Sequence, residues 1–318
     1  MEIVNLQNLY LSFEVVFPLM VYMMMGFIAG KMKLWDEKNA SALNQVAFTL
    51  FLPVLLFENI RAVDLNLGVD YGLILFAIIS ILITIAILCF LVPKFEKENR
   101  RRGVMVQGIF RSNFIIFGMV MTKTILGPAE KGYSAFMMVI LIPLFNTLAV
   151  LSLEIFRGSK TDWPRIFKNL ATNPFIVTSV LGLIVLFGRI PIHPLIAKTT
   201  STIGQAATPM ALAAMGGCFR FEGAKNCLKQ LIVSVCGKLL IMPAVWLTIA
   251  ALCFGFRGEP FVCLLTLYAA PVAVSSYSMA QLMDGDGELA SQIVVYSSVF
   301  SIFTIFWITF ITKSLGMF

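Results

Sequence analysis

Residues 104–126 read VMVQGIFRSNFIIFGMVMTKTIL, an apolar run long enough to cross a bilayer but interrupted at its middle by Arg111-Ser112-Asn113. Charged and amide side chains cost free energy at that depth, so their presence needs a cause. A second run, residues 259–283, reads EPFVCLLTLYAAPVAVSSYSMAQLM and is broken at Ala270-Pro271-Val272, with Ser275 and Ser276 just beyond. At about 1.5 Å per residue, Asn113 and Pro271 lie at similar depths if the two runs enter from opposite sides. The fold follows from reading these two broken segments as meeting each other.

Around them the chain is uniformly apolar. Of 318 residues, 59% are hydrophobic and 13% charged, with a mean hydropathy of +0.89, which excludes an ordinary soluble domain and indicates a polytopic membrane protein. The first apolar run, Leu11 to Gly30, has no basic region before it and no small-residue cleavage site, so it is expected to be a span and not a signal peptide. Ten stretches reach the roughly 20 residues a transmembrane helix needs: 10–30, 40–60, 70–92, 104–126, 133–156, 172–189, 193–218, 230–255, 259–283 and 290–313. They are continuous and too long for barrel strands, so the expected fold is all-α.

The formal charge of +7 does not point to nucleic acid, because the basic residues sit in short loops without interleaved aromatics. They orient the chain instead. Fifteen lysines and arginines fall in the odd-numbered loops and seven on the other side, which predicts cytoplasmic odd loops and both termini outside, in the cell membrane. The six cysteines show no paired spacing and, most of them inside spans, read as small apolar residues. His193 is the sole histidine, so zinc or triad chemistry has little to build on, and no metal, cofactor or enzymatic activity is expected.

The connection 157–171 divides the spans into five and five, giving halves 1–156 and 172–318 that an odd number of spans would invert relative to each other. The breaks repeat with a similar interval: Pro53 and Asn113 are 60 residues apart, Pro209 and Pro271 are 62 apart. Each second break is followed by a Gly-containing acidic turn, Gly127-Pro128-Ala129-Glu130 and Asp284-Gly285-Asp286-Gly287-Glu288. Paired interrupted segments in corresponding positions are the expected sign of a transporter site, where half-helix N-termini favour an anion. The acidic turn itself lacks EF-hand spacing and reads as a solvated cytoplasmic turn.

Arg111 has three readings: contact with a substrate in a cavity, snorkelling to the cytoplasmic edge, or pairing with an acid such as Glu14, Glu58 or Glu154. A guanidinium without a buried partner suits a carboxylate. The plain alternatives for Asn113 and Pro271 are interhelical hydrogen bonding and a simple kink. Gln107, Gln205 and Lys238 are candidates for a supporting role, their plainer readings being interhelical bonds for the glutamines and snorkelling for the lysine.

Several motifs resemble one family in order and spacing. They are Asn44-Gln45-Val46-Ala47-Phe48 leading to Leu52-Pro53-Val54-Leu55-Leu56-Phe57, Asn113 followed by Gly118, and Asn173-Pro174-Phe175-Ile176. Further on come Gln205-Ala206-Ala207-Thr208-Pro209 with Gly216-Gly217, and Ala270-Pro271-Val272-Ala273 running to Gly285 through Ser291. Together they look like the auxin efflux carrier family in its prokaryotic branch, similar in fold to bile-acid sodium symporters. The resemblance implies two inverted five-helix repeats with crossed broken helices 4 and 9. It implies a scaffold from spans 1, 2, 6 and 7 and a mobile unit from spans 3–5 and 8–10, with a homodimer through the scaffold among membrane lipids.

It further implies elevator-type transport of a small organic anion, a mono- or dicarboxylate such as malate or an auxin-like acid. Asn113 and Pro271 match the crossing positions; with Arg111, Ser112, Val272, Ser275 and Ser276, read from this chain's own residues, they make up the expected substrate-binding set. Ser112 and Val272 depart from the plant carriers, which have proline and a second asparagine there. A proton- or sodium-coupled symporter and a membrane sensor without flux are the alternatives.

Overall fold

The computed structural model describes residues 2–63, 70–114, 121–122, 125–127, 132–157, 163–220 and 223–318. Gly118, the turn residues Pro128 to Glu130 and part of the connection 157–171 lie outside the described residues.

Helices account for nearly all of what is described, and no strand occurs among these residues. Helix α1 (Glu2–Lys31) is followed by α2 (Glu37–Val46) and α3 (Leu52–Arg61), which are joined by a π-helical turn at Ala47–Phe51. Then come α4 (Tyr71–Phe95), α5 (Asn99–Phe110), α6 (Tyr133–Ile155), α7 (Trp163–Thr172), α8 (Pro174–Phe187) and α9 (Pro194–Cys218). After the single turn α10 (Gly223–Asn226), α11 (Leu228–Cys236) continues through a second π turn at Gly237–Ile241 into α12 (Met242–Leu252). The last elements are α13 (Glu259–Ala269), α14 (Ser275–Leu282) and α15 (Gly287–Ser314).

By length and composition five helical stretches can cross a membrane: Lys38–Arg61, Tyr71–Phe95, Tyr133–Ile155, Leu228–Leu252 and Gly287–Ser314. A sixth results if α7 and α8, bent by 54° across Asn173, count as one span. The chain is therefore an all-helical, multi-pass membrane protein. The expected stretch 104–126 takes in the end of α5 and the break at Arg111, and 259–283 takes in α13, the break at Ala270 and α14.

Side chains close the helix ends. Asp36, Asp70, Asn173 and Asp286 accept hydrogen bonds from first-turn backbone N–H groups, and His193 does the same for Leu195 at the start of α9. The one histidine is thus a cap. No disulfide joins the cysteines, and they are not uniformly buried: Cys227 and Cys263 are, whereas Cys253 at the end of α12 is exposed.

Packing falls into two groups. Helices α1, α2, α3, α8 and α9 lie against one another, and α4, α5, α6 and α11 to α15 form the other set, with α15 also running along α1 and α6 also packing against α8 and α3. The α1–α9 contact is backbone on backbone: a Cβ added at Gly26 would sit 1.9 Å from the Ala213 carbonyl oxygen, and one at Gly216 would sit 2.0 Å from that of Met23. Small residues that let helices approach this closely are the usual adhesive where lipid offers no hydrophobic drive.

The acidic turn after α14 is not simply solvated, as its sequence suggested. Asp286 pairs with Arg101 at 3.0 Å and Asp284 with Arg157 at 2.7 Å, while Arg100 donates to the carbonyls of Asp284 and Gly285. The start of α5, the end of α6 and the α14–α15 turn therefore share one face of the molecule.

Candidate anion site at two helix breaks

Helix α5 ends at Phe110, and Arg111 leaves it with φ −75° and ψ 133°. Helix α13 ends at Ala269, and Ala270 leaves it with φ −61° and ψ 145°. The two extended segments touch: the Asn113 backbone N–H donates to the Pro271 carbonyl at 2.8 Å. Proline 271 lacks the N–H that would have closed on the carbonyl of Leu267. The Ser112 hydroxyl occupies that place, donating to Leu267 O at 2.6 Å, and the Val272 N–H reaches Ser297 Oγ at 3.3 Å. Each break is satisfied by groups outside its own helix, which is what unwound backbone inside a membrane protein requires.

Arg111 is 3% exposed, so it does not snorkel. Its guanidinium donates to Asn146 Oδ1 on α6 and Ser275 Oγ on α14, both at 2.7 Å, and also contacts Met279 Sδ. All three partners are neutral. Glu58 pairs with Arg61 and receives a bond from Thr200, Glu154 pairs with Arg157, and the side chain of Glu14 lies outside the described residues. Among the described residues the Arg111 cation thus has no carboxylate partner. An uncompensated buried charge of this kind carries a penalty of several kcal/mol in the empty state.

A small cleft of about 60 Å³ lies against these groups. Its polar lining comes from Arg111, Ser112, Asn113, Asn146, Thr208 and Ser275, and the remainder is apolar, including Leu52, Leu55 and Leu56 of α3 and Phe175 of α8. Both helix groups therefore form its walls. Asn113 Nδ2 and Asn146 Nδ2 are buried without a hydrogen-bond partner among the described residues. Three donor-bearing groups, one of them charged, converge on a cleft whose other walls are mostly hydrocarbon.

The sequence-expected residues divide accordingly. Arg111, Ser112, Asn113 and Ser275 line the cleft; Pro271 contributes its carbonyl to the backbone pairing. Val272, Ser276 and Gln107 line a smaller cavity apart from it, where Gln107 Oε1 and Ser276 Oγ are buried and unbonded among the described residues. Gln205 lies on an exposed face of α9, where it donates to Ser201, and takes no part in the cleft. Lys238 does not snorkel either. It is wholly buried on the second π turn, which packs against α5, α13 and α15, and it lines neither cavity.

Asn146 and Met279 escaped the sequence reading. Asn146 stands in an unbroken run, Leu144-Phe145-Asn146-Thr147-Leu148, where a polar side chain at mid-span was the available signal.

The family model described as "Membrane transport protein" matches residues 11–164 and 163–309. An uncharacterized transporter of Methanothermobacter thermautotrophicus is 24% identical over 306 residues, covering 92% of this chain and 95% of that protein. An uncharacterized transporter of Methanocaldococcus jannaschii is 20% identical over 298 residues, covering 92% and 96%. With nearly the whole chain matched, and a multi-pass helical fold broken at two meeting points, the protein belongs to the membrane transport protein family.

Proposed function

We propose that this transporter carries a small organic monocarboxylate, an anion with one carboxylate and an apolar body, across the cell membrane by alternating access. The observation that carries this reading is the Arg111 guanidinium, buried beside the amide N–H groups of Asn113 and Asn146, with no counter-charge for the one and no partner for the others among the described residues. A carboxylate is acceptor-only and accepts several such donors at once. The cleft supplies one cation and mainly aliphatic and aromatic walls, which favours an apolar acid over malate, whose second carboxylate would be left against hydrocarbon.

In this reading the chain forms ten spans as two inverted repeats, with both termini outside. Helices α1, α2, α3, α8 and α9 serve as a scaffold and dimer surface, and the other group moves past them as an elevator. The segregated packing and a cleft walled by both groups support it. Purified protein should bind hexanoate, give a charge displacement with it in proteoliposomes on a solid support, and bind malate more weakly. Arg111→Ala should lose hexanoate binding while staying folded. Unchanged binding in that variant would remove the role of Arg111.

The cation-coupled alternative has one observation in its favour, the unbonded oxygens of Gln107 and Ser276 in the smaller cavity. It predicts that the hexanoate signal depends on a sodium or pH gradient.

A further inference from the structure

The geometry points to Asn44 as a positioning residue for the anion site and as a latch between the two helix groups, an inference that rests on the anion reading above. Asn44 is on α2 and is 0% exposed. Both ends of its amide engage α14: Nδ2 donates to Gln281 Oε1 at 2.5 Å, and Oδ1 accepts from Ser278 Oγ at 2.5 Å. One helical turn earlier Ser41 adds a longer contact, accepting from Gln281 Nε2 at 3.4 Å.

Helix α14 is thereby held from two sides. Ser275 and Met279, four residues apart, face Arg111, and Ser278 and Gln281, three apart, face Asn44. Only eight residues long, α14 starts directly after the broken segment and packs otherwise mainly on α15 and α5. Ser275 is one of the groups that orient the Arg111 guanidinium at the cleft, and it is set there by a helix whose other side is held by Asn44. Because α2 and α14 lie in different packing groups, any movement of one group past the other has to break the Asn44 bonds. The placement of Ser275 at Arg111 and the latch at Asn44 thus depend on a single short helix.

Two measurements test this. In a double-mutant cycle read by hexanoate affinity, Asn44→Ala should weaken binding about tenfold in the otherwise native protein but less than twofold in a Ser275→Ala background, since the two act through the same contact. A tenfold loss in both backgrounds would overturn the positioning role. In a protein whose six native cysteines are replaced, the pair Asn44→Cys and Gln281→Cys should cross-link on oxidation. The oxidised form should bind hexanoate as tightly as native protein and give no charge displacement, and reduction should restore the displacement.

Cross-linked protein that still displaces charge at the reduced rate would overturn the latch alone. Native protein that fails to bind hexanoate or any other small monocarboxylate would take down the anion reading and the positioning role with it. The two failures are distinct in the data. Because the cross-link is reversible, the second measurement also stands if Asn44→Ala does not fold.

Discussion

At the scale of single residues, the site depends on a cation left without a counter-charge among the described residues. Arg111 is held by an amide, a hydroxyl and a thioether, each a weaker partner for a guanidinium than a carboxylate. Supplying that carboxylate from the protein itself should satisfy the charge permanently. Asn146→Asp is therefore expected to raise the thermal midpoint and abolish hexanoate binding, and a thermal-shift titration reads both. Arg111→Met should likewise melt no lower than the native protein, because it removes an unpaired buried charge, yet lose about 10- to 100-fold in affinity, the equivalent of a charged hydrogen bond of about 1.5–3 kcal/mol. Arg111 and Asn113 were legible in the sequence because each violates an apolar run. Asn146 violates one too, but nothing beside it breaks the helix, and a lone amide in a span is ordinarily interhelical bonding. Lys238 was misread because sequence gives its depth but not the direction of the helix face that carries it.

At the scale of elements, the two breaks depend on each other. Ser112 caps the carbonyl that Pro271 strands, and Asn113 pairs with the carbonyl of Pro271 itself. Proline and serine positions announced the breaks; their mutual capping is a tertiary fact that no local pattern encodes. Close helix contact is likewise invisible until both partners are known. Gly216→Val would drive a side chain into the Met23 carbonyl and should strongly destabilise the α1–α9 pair, seen as a loss of monodisperse protein after extraction. At the end of α4, burial opposes the charge on Glu96, but the Glu98 N–H and the Gln230 amide outweigh it and hold the carboxyl below its ordinary range. A depressed carboxyl contributes stability above its unfolded pKa and loses it as the pH falls through the folded value. Glu96→Gln should therefore melt lower than native protein at pH 7 and show a shallower fall in midpoint on acidification.

At the scale of the whole molecule, the helical class and the five helices long and apolar enough to cross a membrane came from composition and run length, since an apolar run of about 20 residues has few other fates. The division into two packing groups could not be read that way. It arises from which faces meet, as at Gly26 and Gly216, and from bonds that link residues more than 200 positions apart, as between Asn44 and Ser278. The shared face of Arg101, Arg157, Asp284 and Asp286 gives the orientation a test: reporters fused at the two termini should be active outside the cell while a cysteine placed at Arg100 is labelled only from the cytoplasm. The two π turns, at Ala47–Phe51 and Gly237–Ile241, each end two residues before a proline, Pro53 and Pro243. A π turn holds one residue more than the helix around it, which offsets the angular phase of the downstream helix by about 100°. In the first of them that offset lets one continuous rod present Asn44 to α14 and, further along, Leu52, Leu55 and Leu56 to the cleft. Deleting a single residue between Ala47 and Phe51 would keep every side chain the site uses and still turn Asn44 and the three leucines out of step with each other.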